Sequence, residues 1–174
     1  MLIIFRIWSA IDPAQSLLDP IALLELASKG ILLRSSIKEW YTTFQTQIER
    51  NPLLAQNPST ILAEIYYHAI SIYLSGLFDY RPQFNQVPSP ALPFGTIQSH
   101  GNCILSKTER ALRTTRLAGI WFFFPLRVAG ARAQSAQQKS SILIMLKEIS
   151  ARSFIVADAF FMDLNTLWAR GMSP

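Results

Sequence analysis

One stretch limits the folds open to this chain more than any other: residues 120–131, IWFFFPLRVAGA. Trp121, Phe122, Phe123 and Phe124 follow one another, and residues 117–126 carry no charge. Such a run is too short to cross a bilayer, which takes about 20 apolar residues. Aromatic side chains at this density belong in a protein core. The stretch is read as a central buried helix, with Pro125 kinking it or starting a new turn, and the other helical segments packed around it. Trp121, Leu126 and at least two of Phe122, Phe123 and Phe124 are expected to be buried. Gly130, between Ala129 and Ala131, leaves room for another element to approach closely. Arg127 lies at the edge of the run and is expected to turn inward onto a carboxylate or helix-end carbonyls.

A chain of 174 residues, half of them apolar and 16% charged, can build a substantial core and lies outside the range of disordered sequences. Residues 1–174 are therefore read as a single helical domain. Cys103 is the single cysteine, which excludes an intramolecular disulfide and a multi-cysteine metal cluster and fits a reducing compartment. The N-terminal MLIIFRIWSAID holds Arg6 inside its apolar run and has no basic region ahead of it, so a secretory signal is not expected. It is read as the ragged start of a fragment or as a helix docking on the body.

The net charge of +5 is concentrated: Lys107, Arg110, Arg113, Arg116, Arg127, Arg132 and Lys139 face only Glu109 in that part of the sequence. A basic stripe can attract nucleic acid or anionic ligands. Arg110, Arg113 and Arg116, however, step by three and fan over half a helix, which suits solvent better than one phosphate site.

Helical signals recur along the chain. Asp19-Pro20 reads as an N-cap, with a helix over residues 21–29 stopping at Gly30. Ser36-Ile37-Lys38-Glu39 has the form of a capping box, followed by Ile37, Trp40, Tyr41, Phe44 and Ile48 at helical spacing until Asn51-Pro52. Asn57-Pro58-Ser59-Thr60 opens a third helix. One of its faces is Ile61, Ile65, Ala69, Ile72 and Gly76; the other is Glu64, His68, Ser71, Ser75 and Asp79. His68 thus falls on the polar face, as a solvated or hydrogen-bonded histidine. Residues 79–95 hold Pro82, Pro88, Pro90 and Pro93 and form a surface loop, with no clear proline-rich docking core beyond Pro90 and Pro93. Thr96 caps the next helix, whose Ile97, Ile104, Ala111 and Ala118 make a seam for a neighbouring helix or a second copy. Ser135-Ala136-Gln137-Gln138 is another capping box and points Ile142, Leu146 and Ile149 inward. A last helix begins near Arg152, lines up Val156, Phe160, Leu164 and Leu167, with Ala157, Phe161 and Trp168 beside them, and stops at Gly171. No segment alternates at period two, so the fold class is all-α, with six or seven helices in one body.

The chemistry is sparse. GxGxxG, P-loop, HExxH and GxSxG motifs are absent. His100 and Cys103 share a helix face, a spacing open to metal ligation or to a nucleophile and its base, but two such residues do not make a site. Asp158 and Asp163 are five apart and do not face each other. The sequence assigns no catalytic, cofactor-binding, metal or nucleic-acid residues and no cofactor.

Phe124-Pro125-Leu126-Arg127-Val128-Ala129-Gly130, the capped helix over residues 142–149 and Asp163-Leu164-Asn165-Thr166-Leu167-Trp168 follow one another in a recognisable order. Over residues 58–172 the chain resembles the C-terminal regulatory region of fungal binuclear zinc-cluster transcription factors, the fungal-specific transcription factor domain. That resemblance implies an all-helical nuclear region that regulates transcription through effectors, partner contacts or self-association, with no catalytic residue to carry over. The six cysteines of the family's DNA-reading module are not here, so the chain is expected to be a fragment, a truncated product or a regulator without its DNA reader. Expected partners are proteins or a second copy, with a small-molecule effector allowed, no membrane, and no sequence-specific DNA binding by this chain alone. The alternative is a small helical enzyme or ligand carrier, for which a closed polar pocket containing His100 and Cys103 would be needed.

Overall fold

The computed structural model describes residues 20–152 and 154–170. The readings at the N-terminal twelve residues, Asp19 and Gly171 fall outside them. Among the described residues six α-helices follow one another: α1 (Pro20–Arg50), α2 (Pro58–Asp79), α3 (Phe94–Thr114), α4 (Phe123–Ala131), α5 (Ala136–Ala151) and α6 (Val156–Ala169). Short 3-10 turns lie at Pro52–Gln56, Pro82–Gln86 and Gly119–Phe122, and no strand occurs among the described residues. The fold is all-α.

The expected break at Gly30 is absent, because α1 runs unbroken from Pro20 to Arg50. Gly30 is a site of close approach instead: a Cβ there would lie 2.6 Å from Cζ of Phe78 and 2.8 Å from Cγ of Pro90. The capping-box pattern at Ser36 falls inside the same helix and caps nothing. A serine followed three positions later by a glutamate signals a start only where the backbone before it leaves the helix.

The α2 start is as expected. Pro58 sits in the first turn and the Asn57 side chain accepts a hydrogen bond from the Ser59 amide. The helix has the length and hydropathy of a membrane span, and in this fold it packs between α1, α3 and α4. Its apolar face, Ile61, Ile65, Ala69 and Ile72, joins Ile97, Ile104 and Ala111 of α3, Leu126 of α4, and Ile142, Leu146 and Ile149 of α5 in one core. Each isoleucine or leucine among them, fully buried, contributes about 1.5–3 kcal/mol. A smaller cluster seats the first half of α1: Ala27 lies among Leu74, Leu77, Phe78 and Phe84.

The aromatic stretch divides in two. Residues 119–122 form the 3-10 turn, and α4 begins at Phe123, which places Pro125 in the first turn, where a missing amide costs little. Phe122, Phe123 and Leu126 are buried, and α4 touches α2, α3, α5 and α6. Trp121, expected inside, is 49% exposed. The 3-10 turn advances the chain with a different rotation per residue, so Trp121 and Ile120 leave the face that Phe122 shares with the core. The close approach at Gly130 is present: a Cβ there would stand 2.7 Å from Cδ2 of Leu164, and Nε1 of Trp168 donates to the Gly130 carbonyl at 2.9 Å.

Other boundaries shift. The α3 N-cap is Pro93, so Thr96 lies within the helix. The helix ends at Thr114, and the segment leading to Ala118 leaves the helical path. The seam therefore closes on this chain's own core at Ile97, Ile104 and Ala111, while Ala118 is exposed. The Ser135 capping box forms in full, with both of its reciprocal hydrogen bonds. Arg152 ends α5, and the last helix begins at Val156, which is exposed rather than part of the inward stripe. Leu164 and Ala157 are its buried residues.

Candidate functional site

The polar face of α2 is withdrawn from solvent except at its last position, where Asp79 is exposed. Glu64, His68, Ser71 and Ser75 are all buried, His68 at 7% exposure and Ser75 at 0%. Burying polar groups is tolerable only where each finds a partner, and α1, α3 and the proline-rich loop supply them. Oε1 of Glu64 accepts from Nε2 of Gln45 at 3.1 Å, and its Oε2 meets Nζ of Lys107 at 2.8 Å. Arg34 donates to the Ser71 carbonyl at 3.2 Å. The Ser75 hydroxyl donates to Asp79 at 2.9 Å and accepts from the Leu92 amide at 2.8 Å. Asp79 also holds Arg132 at 2.9 Å, and the guanidinium of Arg132 lies over the Tyr80 ring. Five residues at steps of three and four thus run as a polar seam along the helix, tied to α1 and α3 at one end and to the C-cap of α4 at the other.

In the middle of the seam Nδ1 of His68 faces Nδ1 of His100 at 2.7 Å. One ring nitrogen donates and the other accepts, which two neutral imidazoles in opposite tautomers can do. Tyr67 packs edge-on against both rings, and Tyr41 of α1 packs edge-on against His68. Tyr41 and Tyr67 themselves stack face to face, with centroids 3.6 Å apart and planes within 3°. Burial, helped by the neighbouring His100 and Lys107, lowers the His68 pKa to about 4 against the pull of Glu64. Burial and Arg34 lower that of His100. Burial, with Glu64, Tyr67 and Cys103 adding to it, pushes the Tyr41 phenol up to about 12.

His100 and Cys103, the pair singled out in the sequence, are therefore separated in role: His100 meets His68, which is 32 positions away. Among the described residues no three His, Cys, Asp or Glu side chains converge as a metal would require. Asp158 and Asp163 do not come together either; Asp163 pairs with Arg127 at 2.6 Å. The polar stepping along α2 is the sequence signal for His68, the buried member of the pair. Nothing in the local spacing identifies His100 as the partner.

The basic residues are distributed over separate acceptors. Lys107 meets Glu64, Arg110 donates to the Ala55 carbonyl at 3.0 Å, and Arg113 pairs with Glu109. Arg127 pairs with Asp163, Arg132 with Asp79, and Lys139 lies over the Trp168 ring. Arg116 is exposed. An open groove of about 670 Å³ runs between α3 and α5, lined at one end by the amides of Gln98, Asn102 and Gln138 and also by the charged Glu109, Arg113 and Glu148. Gln138 orders its wall by donating to both Gln98 and Asn102. Comparisons with known protein families, with curated proteins and with solved structures find no match to this chain.

Proposed function

We propose that this chain is a nuclear transcription-regulatory module that acts by binding a protein partner, a second copy or a small effector, and that it is neither an enzyme nor a reader of DNA sequence. The fate of the basic residues carries the reading. Base recognition needs side chains aimed into a groove by an element that fits it. Here Lys107, Arg127 and Arg132 are held by carboxylates of other helices, and Arg110 by a backbone carbonyl of the first 3-10 turn. Their engagement in fastening one element to another supports the reading that they serve the fold. The resemblance of residues 58–172 to the fungal-specific transcription factor domain supplies the regulatory half of the proposal, and the groove between α3 and α5, lined by amides and by Glu109, Arg113 and Glu148, is where a polar effector would enter. Ile21, Leu24, Leu32 and Trp40 on α1 leave exposed apolar surface that suits a protein partner or a second copy.

The test has two arms. The chain is fused to an unrelated DNA-binding module and read on a reporter gene; a change relative to the module alone supports regulation, and no change counts against it. The unfused chain is titrated with two unrelated duplexes at low and physiological salt. Equal weak binding that disappears with salt is expected for phosphate attraction alone. A sequence preference that survives physiological salt overturns the reading.

A further inference from the structure

We propose that the His68–His100 contact is an acid-released latch, which holds the second half of α1 against the α2–α3 seam while both rings are neutral. The geometry sets how protons act on it. With Nδ1 facing Nδ1 at 2.7 Å, a first proton can be taken up at the outer nitrogen of the donor ring and the contact survives. A second must go onto the accepting Nδ1, which turns the contact into two N–H groups pointing at each other on two cations. The surroundings oppose even the first. From α1 the pair is faced by Arg34 and Tyr41, from α2 by Glu64 and Tyr67, and from α3 by Lys107, with Cys103 bordering Tyr41. Glu64, the one carboxylate among these six, is already engaged by Lys107 and Gln45.

The wall that yields is the second half of α1. Its first half is seated in the apolar cluster around Ala27 and Phe78. Beyond Ile37 its contacts with α2 include the Tyr41–Tyr67 stack, the edge of Tyr41 on His68 and the Gln45–Glu64 hydrogen bond, all bordering the histidines. His100 already borders solvent, so it is a charged His68 that water reaches by parting these contacts, whereas α2 and α3 remain joined through Ile61, Ile65 and Ile104. The direction with pH follows from the depressed folded values. Unfolded or opened histidines titrate near 6.5, and His68 in the closed form near 4. The closed form is fully favoured above about 6.5 and loses stability through His68 as pH falls toward about 4, by up to ten-fold per pH unit, with His100 acting in the same direction.

The experiment is hydrogen exchange on the whole chain at pH 7 and pH 5, with protection factors corrected for intrinsic rate, alongside the H68Q/H100Q variant. Glutamine keeps a hydrogen-bonding end without a titrating proton. In the unaltered chain, protection over residues 41–50 should fall about ten-fold or more between the two pH values, with little change in α5. In the variant the fall should be absent. The same loss in both proteins, or a loss spread evenly over all helices, overturns the proposal. Should the variant not fold, the ring C–H signals of the unaltered chain are titrated by NMR. Depressed values for both rings support the latch; two ordinary values near 6.5 overturn it.

Discussion

The two faces of α2 are buried to nearly the same degree by opposite means. Ile61, Ile65, Ala69 and Ile72 on one side are enclosed by side chains that need only fit. Glu64, His68, Ser71 and Ser75 on the other are enclosed by partners that must also match in charge and donor direction. The first face tolerates shape-preserving exchange, since packing is non-directional. The second tolerates paired changes but not single ones, because a lone survivor is left buried without a partner. Helical periodicity therefore tells which residues share a face, while the presence of a third helix decides whether a polar face is wet.

The largest effect should come from the apolar side. Phe122→Ala empties a site with 0% exposure and is expected to cost about 3–5 kcal/mol in urea denaturation. A cost below that of an ordinary surface substitution would mean that the 3-10 turn and α4 are not packed as described. Next is Glu64→Ala, which strands Lys107 and Gln45 at an expected cost of about 2–3 kcal/mol. Glu64→Met combined with Lys107→Met should recover most of that loss, because the desolvation of both charges is relieved together. If the double variant is no better than the single, the contrast between the two faces fails. Gly30→Val should cost about 1–2 kcal/mol by forcing the Phe78 ring and Pro90 away from α1. Were Gly30 a helix end, as its sequence context suggests, the substitution would leave the Phe78 cluster untouched, and near-UV circular dichroism separates the two outcomes. Smallest of all, Arg113→Ala removes an exposed pair with Glu109 and should leave the denaturation midpoint unmoved within error.

What could be read from the sequence follows the same division. The caps at Asn57 and Ser135 are local chemistry, completed within three residues, and both form. The inward positions Ile142, Leu146 and Ile149 depend only on the helical period and are all buried. Gly30, Ser36 and Thr96 were read as punctuation and lie inside helices, because a stop or start signal is overridden when packing on both sides favours one continuous element. Trp121 failed for a related reason: its exposure depends on the turn being 3-10, which the run of aromatics does not encode locally. His68 was assigned to the correct face, with solvation left open beside hydrogen bonding, and its burial needed α1 and α3 to be in place. The all-α class was legible throughout, since no stretch competes for strand.

The link between α1 and α2 has a consequence for how the seam behaves. Asn51 through Asn57 return the chain in a tight 3-10 turn, with Pro52 in its first turn and Pro58 opening the next helix. A helix held at one end by this stiff tether and at the other by the Ala27 cluster cannot diffuse away when its middle parts from α2. Its return is a search over a few ångströms, equivalent to facing its partner at millimolar concentration or above. Opening and reclosing should accordingly be first-order, reversible and indifferent to how dilute the protein is, so that the seam responds to its surroundings at the same rate in one copy as in many.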